Sequence, residues 1–261
     1  MPPLADDLSP VVSTAACRRL FDDLTTVISF TLYLSDLVAR VEVADIDQTA
    51  EALSHRDVFE RRLGAFSPLL LQMVLARAVD SFLVYLSELF TEIFKTKPET
   101  LRSGEQVRVA DVLEHQTMDE LVAFLAGRRV ERLAYAGLRQ VASEMQSHIG
   151  FELVRSVSAL DRAVAIVESR NLVVHNRGVV NQIYVRRVGS RSALGDQLPI
   201  DAAYVFSAIE FLLDAASSID AGAVSKFRLQ ADRPATLPDE VAAAIATASN
   251  PTFADLDEPL G

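Results

Sequence analysis

The sequence contains few of the residues on which several classes of protein depend. Its 261 residues include one cysteine, four histidines and no tryptophan. A single cysteine, Cys17, excludes an internal disulfide and a cysteine-based zinc cluster, and four scattered histidines argue against a histidine-rich metal site. The phosphate-binding loops Gly-x-x-x-x-Gly-Lys-Ser/Thr and Gly-x-Gly-x-x-Gly do not occur, nor do Gly-x-Ser-x-Gly and His-Glu-x-x-His. We therefore expect neither a metal nor a cofactor.

Long uninterrupted apolar segments are also missing. The most apolar late stretch, residues 200–217, contains Asp201, Glu210 and Asp214, and these charges disfavour a membrane span. The chain begins Met-Pro-Pro-Leu-Ala-Asp-Asp, which is acidic where a signal peptide is positively charged. The sequence therefore predicts a soluble cytoplasmic protein without membrane contact.

The composition is typical of a globular protein. Half of the residues are hydrophobic and 23% are charged, and the length is sufficient to bury a core. Apolar residues recur at three- and four-residue steps along most of the chain, which is the helical pattern. We predict an all-α fold of six or seven helices, in a single domain over residues 1–228. An acidic tail containing Ala and Pro, residues 229–261, is predicted to be flexible.

Local signals mark where these helices begin and end. Ser67 and Pro68 are predicted to open the most apolar helix, and Thr117 and Glu120 have the spacing of a capping box. Further boundaries are predicted at Gly150, Gly178, Asn181 and Asp201. The predicted spans are 13–41, 67–97, 109–114, 117–148, 152–175, 182–188 and 201–227, with residues 45–57 forming a short helix or a loop.

Charge is distributed unevenly along the chain. The net charge is −11, yet residues 128–191 contain eleven arginines and only five acidic residues. A basic segment of this kind attracts phosphate groups locally. The sequence has only three lysines against 22 arginines, so these arginines are either a functional basic surface or solvated faces of helices.

One short window concentrates polar residues at the end of an otherwise apolar helix. Residues 168–181 read Glu-Ser-Arg-Asn-Leu-Val-Val-His-Asn-Arg-Gly-Val-Val-Asn, and they hold three of the four asparagines in the chain. Asn171 and His175 are four residues apart and share a helix face. Arg170 and His175 are separated by about 140° around the helix axis. Only the long arginine side chain, or a second subunit, would bring both groups to one phosphate.

The spacing Arg170–(four residues)–His175 resembles the signature of the HEPN superfamily of all-α proteins, in which arginine precedes histidine by four to six residues. Asn171 occupies the position after the arginine that is often polar in that family. The string R-N-L-V-V-H-N-R-G-V-V-N is similar to one bacterial branch, and the helix around residues 81–98 resembles the preceding core helix of that branch. The likeness extends over residues 15–225.

The resemblance implies metal-independent cleavage of RNA by a homodimer whose two motifs meet in one cleft. RNA supplies the 2′-hydroxyl nucleophile, so His175 would carry protons and Arg170 would bind phosphate oxygens. Asn171 would orient His175 or hold a phosphate oxygen. The biological setting implied is bacterial stress, a toxin–antitoxin pair or phage defence. Five further residues are predicted to contact RNA because of their position: Asn176, Arg177, Arg186, Arg187 and Arg191.

Two alternatives to catalysis stay open. Arg170 could pair with a carboxylate while His175 and Asn176 cap the helix end. A non-catalytic HEPN module could instead bind RNA or a nucleotide, or dock an antitoxin or effector protein through the apolar helix at residues 69–97. The second match to the spacing, Arg108–(six residues)–His115, lacks the Asn and Gly context. Three residues interrupt the apolar helix and could reach the cleft, although a core or ion-pair role is favoured: Asp80, Tyr85 and Glu88.

Overall fold

The computed structural model describes residues 12–43, 50–101, 106–154, 156–189 and 193–249, with side chains for all of these except 35, 37–43, 50–67 and 134–135. Within these ranges the fold is all-α, which confirms the predicted class, but the described residues form nine α-helices and not the predicted six or seven. The helices are α1 (Ala15–Val43), α2 (Ala50–Thr96), α3 (Val109–Leu113), α4 (Met118–Ala136), α5 (Leu138–Ile149), α6 (Val157–Asn176), α7 (Gln182–Val188), α8 (Ala202–Phe227) and α9 (Asp239–Ala248), with a 3-10 helix at Pro98–Leu101.

The chain divides into two compact units, each formed from several separate segments. The first comprises Met1–Phe21, Phe82–Leu160 and Leu213–Thr236, and the second comprises Asp22–Ser81, Asp161–Leu212 and Leu237–Gly261. The domain boundary predicted at residue 228 falls inside the first unit. The motif at residues 168–181 lies entirely in the second unit.

Each unit has its own buried apolar side chains. The largest fully buried ones of the first unit are Leu20, Phe82, Tyr85, Leu89 and Ile93, and those of the second are Leu24, Ile28, Leu75, Val79, Val180, Ile209 and Leu212. The members on α2 follow one another at three- and four-residue steps, so one stripe of this helix is buried from Leu75 to Ile93.

Most predicted caps are present. Thr117 and Glu120 form the capping box of α4, and Asn181 accepts a hydrogen bond from the backbone N–H of Tyr184 at the start of α7. Asp201 caps α8 through the backbone N–H of Tyr204 at 2.8 Å. Gly150 ends α5 in the left-handed conformation. These boundaries are set by hydrogen bonds within four residues, which is why the sequence predicts them.

Three boundaries were predicted wrongly, and one of them is the start of α6, which lies at Val157 and not at residue 152. The helix expected to open at Ser67 and Pro68 instead begins at Ala50 and contains Pro68 in its interior. Apolar residues continue at helical spacing upstream of the proline, at Phe59, Leu63 and Phe66. The helix continues through Pro68 although an interior proline costs a backbone hydrogen bond and adds a steric clash. The helix predicted over 117–148 is divided at Gly137, whose φ of 80° is unsuitable for a helix.

The segment expected to be a flexible tail contains a helix. Helix α9 has Asp239 and Glu240 in its first turn, where carboxylates interact favourably with the helix dipole. Val241 and Ile245 are buried, one helical turn apart. Acidic composition favoured a flexible segment, but the four-residue spacing of these two apolar residues allows this part to pack.

Two helical stretches among the described residues are long and apolar enough to cross a membrane, Pro68–Thr96 and Ala202–Phe227. In the most apolar 18-residue window of each stretch, 44% and 50% respectively is buried inside the protein. Core helices of soluble proteins meet the same criterion, so these stretches are weak evidence. The cytoplasmic location stays a prediction.

Asp220 on α8 is a buried carboxyl group of the first unit. Its two oxygens accept hydrogen bonds from the backbone N–H of Thr14 at 2.9 Å and from the hydroxyl of Thr14 at 2.6 Å. Burial raises the pKa of Asp220 despite the opposing effects of Thr14 and Arg18. Burial, and secondarily the charge of Asp220, also raises the pKa of Glu92. Burial raises the pKa of Cys17 to about 12, so this thiol is inert near neutral pH.

We expect the variant Asp220→Asn to remove part of the pH dependence of stability. A carboxyl group whose pKa is raised in the folded state stabilises the fold below its ordinary pKa of 3.8. That contribution is lost as the pH rises through the folded-state pKa. The free energy of unfolding of the unchanged protein, relative to Asp220→Asn, should therefore fall as the pH rises above about 4. Urea unfolding at a series of pH values measures it, and a constant difference would contradict the prediction.

Candidate functional site

The candidate site is built on the second half of α6. Residues 163–169 and Leu172 are buried there, so the helix is apolar around much of its circumference. Glu168 and Ser169 are among these buried residues and must find polar partners inside the protein. The hydroxyl of Ser169 donates to the carbonyl of Ala165 at 2.8 Å and accepts from the hydroxyl of Tyr204 at 2.8 Å. The polar groups of this helix are therefore held by specific contacts.

Arg170 is held by two neighbouring side chains. Its Nη2 lies 2.7 Å from Oδ1 of Asp80 on α2, and its Nη1 donates to Oδ1 of Asn171 at 3.2 Å. Its Nε is buried and has no hydrogen-bond partner in the described part of the chain. The side chain keeps 21% of its surface exposed. The guanidinium is thus fixed in orientation and still reachable from solvent.

Asn171 extends these contacts to a second ion pair. Its amide Nδ2 donates to Oε2 of Glu168 at 3.3 Å. The other oxygen of Glu168, Oε1, accepts a hydrogen bond from Nη1 of Arg187 at 2.7 Å. We call the five connected side chains Asp80, Arg170, Asn171, Glu168 and Arg187 the motif network. Its two cations and two carboxylates balance in charge.

His175 lies in the last turn of α6 and is exposed. A cationic side chain is favourable at this position because the C-terminus of a helix carries a partial negative charge. In the described residues no hydrogen bond or ion pair joins His175 to Arg170 or Asn171. The structure therefore places arginine and asparagine in the motif network and leaves the histidine beside it.

A tight turn follows α6. Arg177 and Gly178 both have positive φ, 55° and 75°, and the N–H of Gly178 donates to the carbonyl of Leu172 at 2.9 Å. Gln197 donates to the carbonyl of Arg177 at 3.0 Å. The backbone conformation favours glycine here, and a Cβ at Gly178 would lie 2.5 Å from Nε2 of Gln197, so that side chain would have to move. The exposed side chain of Arg177 is presented at the surface.

The remaining predicted RNA contacts lie in and after this turn. The amide of Asn176 donates to the carbonyl of Val179, which ties the turn together. Arg186 is exposed on α7, whereas Arg187 is engaged with Glu168. Leu172, Val180 and Tyr184 form an apolar cluster that anchors α7, with Val185, Val188 and Leu198 against it. Arg191, a further candidate, lies outside the described residues.

The residues of the apolar helix α2 have the roles that the sequence favoured. Asp80 pairs with Arg170 and Glu88 pairs with Arg19 at 3.0 Å, as expected for charged residues on this helix. Tyr85 is a buried core residue whose hydroxyl donates to the carbonyl of Ala216 at 3.0 Å. Sequence reasoning missed Glu168 as a member of the site. Its position seven residues before His175, on the same helix face, was the available signal.

The second match to the motif spacing serves a structural purpose. Arg108 lies 2.6 Å from Oδ1 of Asp111, and Nη1 of Arg128 lies 3.2 Å from its other oxygen. The Arg108 guanidinium lowers the pKa of Asp111. The ring of His115 contacts the carbonyl of Asp111 through Nδ1 at 2.6 Å and lies against Phe124. These contacts support its interpretation as a match without catalytic meaning.

No protein-family model, curated protein or solved structure matches the chain. In the described residues, no group of three or more His, Cys, Asp and Glu side chains is placed to hold a metal ion. The likeness to the HEPN superfamily rests on the sequence alone, and the function has to be argued from the side chains of α6 and its neighbours.

Proposed function

We propose that the protein is a metal-independent endoribonuclease of HEPN type that acts as a homodimer. The observation that carries this proposal is the division of the motif into a fixed part and an accessible part. Arg170 and Asn171 are hydrogen-bonded within the motif network, while His175 is exposed at the end of the same helix. Catalysis favours a pre-oriented charge beside a proton carrier that substrate can reach.

Arg170 is suited to stabilise the phosphate in the transition state. A guanidinium offers five N–H donors in a planar fork. In Arg170, Nη2 contacts Asp80 and Nη1 contacts Asn171. Asp80 fixes the orientation of the guanidinium, so little rearrangement is needed when negative charge develops on the phosphorus oxygens. Asn171 holds the other side of the guanidinium and links it to Glu168.

His175 is suited to move protons. One histidine accepts the proton of the 2′-hydroxyl as its oxygen attacks phosphorus, and a second donates a proton to the departing 5′-oxygen. A homodimer supplies one His175 from each protomer for these two roles. The products are a 2′,3′-cyclic phosphate and a 5′-hydroxyl, so no water enters the cleavage step.

Exposed cations beside the motif support binding of the RNA backbone. Arg177 and Arg186 are exposed next to the site. The half-exposed Arg187 is joined to the site by its ion pair with Glu168. Asn176 shapes the turn that presents Arg177. The proposed setting is the cytoplasm of a bacterium under stress or phage attack, with an antitoxin or effector protein as a possible partner.

A non-catalytic HEPN module is the second candidate, and the ion pair of Arg170 favours it. Asp80 lies 2.7 Å from the guanidinium and neutralises its charge. The motif network is balanced and would stabilise the second unit without any substrate. In this case the chain would bind RNA, a nucleotide or a partner protein without cleaving RNA.

RNA cleavage in excess EDTA separates the two candidates. We expect the purified protein to cleave total RNA or tRNA and to leave 2′,3′-cyclic phosphate ends. An oligonucleotide with 2′-O-methyl groups should resist cleavage, because it lacks the nucleophile. Cleavage that stops in EDTA would contradict the metal-independent mechanism.

The variant His175→Ala, prepared in the same way, shows whether the activity belongs to this protein. Equal cleavage by variant and unchanged protein would indicate a contaminating nuclease. Binding of the same RNA without any cleavage would favour the non-catalytic module.

A further inference from the structure

The turn that follows α6 holds an arginine in a strained backbone conformation. Arg177 has a φ of 55°, in the left-handed region where a Cβ is crowded by the backbone and where glycine is normally found. A larger residue stays in this region only where the surrounding structure imposes it, and such positions cluster at functional sites. Two things therefore need an explanation: what imposes the conformation, and what an arginine contributes there.

The conformation is imposed by hydrogen bonds from a second segment, residues 193–198. Nε2 of Gln197 donates to the carbonyl of Arg177 at 3.0 Å. The backbone N–H of Leu198 donates to the carbonyl of Gly178 at 2.9 Å. The first of these bonds comes from a side chain, so a single substitution can remove it and leave the backbone bond in place.

The absence of a side chain at Gly178 makes room for the Gln197 amide. A Cβ at Gly178 would lie 2.5 Å from Nε2 of Gln197, which is the atom that donates to the carbonyl of Arg177. The amide thus crosses the space that the Cβ of any other residue would occupy. Gly178 and Gln197 act together to hold the backbone of Arg177.

The side chain of Arg177 takes no part in these contacts. It is exposed, and within the described part of the chain its guanidinium makes no hydrogen bond and no ion pair. Glycine or asparagine would adopt the left-handed conformation at lower cost. An arginine in this place is therefore suited to a partner outside the chain, and a guanidinium recognises phosphate through its planar fork of donors.

A second left-handed arginine shows that the backbone conformation alone does not mark a site. Arg228, which follows α8 in the first unit, has a φ of 56° and is also exposed. Arg177 differs from it in two respects. Gln197 holds its carbonyl, and it lies two residues after His175, so their Cα atoms are at most about 7 Å apart.

We propose that Gln197 is a positioning residue for RNA: it fixes the turn so that the exposed Arg177 guanidinium binds the phosphate next to the one on which His175 acts. This inference rests on the proposed function and adds a residue to it. A cation that is already held in place loses less conformational freedom when RNA binds than a mobile one does. Gln197 changes no group that carries a proton, so its effect falls on RNA binding and not on the chemical step.

The test is the binding of a labelled 2′-O-methyl oligonucleotide, which is not cleaved, at a series of salt concentrations. Arg177→Gly should raise the Kd about 5-fold and reduce the slope of log Kd against log salt concentration by about 0.7, the value for one lost contact to a single-strand phosphate. Arg228→Gly is the matched control, because it also replaces a left-handed arginine, and its Kd should be unchanged. Neither variant should have a lower urea midpoint, since glycine relieves the strain.

The role of Gln197 is tested with Gln197→Met, which keeps the length of the side chain and removes its donor. The Kd should rise about 3-fold, because Arg177 is held less firmly. In the double variant with Arg177→Gly, the loss of Gln197 should have no further effect on the Kd. In single-turnover cleavage the half-saturating RNA concentration should rise by the same factor, while the maximal rate stays the same. A purely structural role would move the urea midpoint without this coupling.

Two results would overturn the assignment. One is an Arg177→Gly protein that binds RNA with the Kd of Arg228→Gly. The other is a Gln197→Met protein whose Kd is unchanged, or is raised equally with and without Arg177. The proposed activity is judged separately, by cleavage. RNA binding that depends on both residues, in a protein that cleaves no RNA, would remove the activity and leave this inference standing.

Discussion

Replacing His175 with alanine should lower the rate of RNA cleavage by about 10²- to 10⁴-fold, the usual effect of losing an acid–base group. The free energy of unfolding should stay the same, because His175 is exposed and its side chain makes no hydrogen bond within the described part of the chain. The affinity for RNA should also change little, since the cations beside it remain. The measurements are single-turnover cleavage, urea unfolding and RNA binding by the same preparation.

His148 provides the matched control for this substitution. It is also an exposed histidine in the last turn of a helix, α5. Among the described residues its ring makes hydrogen bonds within its own helix, with the carbonyl of Glu144 and the hydroxyl of Ser147. The variant His148→Ala should cleave RNA at the unchanged rate. A His175→Ala protein that cleaves as fast as His148→Ala would show that His175 carries no proton in the reaction.

The helices were predictable where local signals determine them. Asn181, Thr117 and Asp201 cap their helices through backbone groups within three residues, and such contacts are encoded in short sequence patterns. Pro68 shows where this reasoning fails. A Ser-Pro pair is a good start signal, but α2 continues upstream because its apolar spacing continues.

The motif was predictable as a group of residues, but its contacts were not. Arg170 and Asn171 are neighbours, so their meeting follows from the sequence. Asp80 lies ninety residues before Arg170, and Arg187 belongs to a different helix from Glu168. No local rule selects one carboxylate out of 36 acidic residues, so tertiary structure alone determines these pairs.

The exposed side of α2 could not be predicted from the sequence for another reason. Helix α2 is apolar over much of its circumference, so periodicity does not separate its buried stripe from its exposed one. Leu75 and Val79 are fully buried while Leu69 and Met73 are more than half exposed, although all four are apolar. Only the positions of α1 and α6 beside α2 distinguish them.

The second large effect is expected from Arg170. The variant Arg170→Ala should cleave RNA about 10²- to 10³-fold more slowly, as expected when a charge-stabilising donor is lost. Arg170→Lys should recover only part of this rate, because an ammonium group cannot reproduce the planar fork held between Asp80 and Asn171. Loss of the half-exposed ion pair should destabilise the fold by about 1 kcal/mol or less. Arg162→Ala, an arginine on the same helix that bonds to Ser207, is the matched control and should cleave normally.

Asp80→Asn separates a catalytic arginine from a structural one. If Asp80 only orients the Arg170 guanidinium, its loss should slow cleavage less than Arg170→Ala does. In the double variant, Asp80→Asn should add nothing further, because the group that it positions is absent. In a purely structural network, both single variants should lower the free energy of unfolding by similar amounts, and cleavage should follow only the folded fraction. An Arg170→Ala protein that is less stable yet cleaves RNA at the unchanged rate would assign the ion pair to the fold and remove Arg170 from the chemistry.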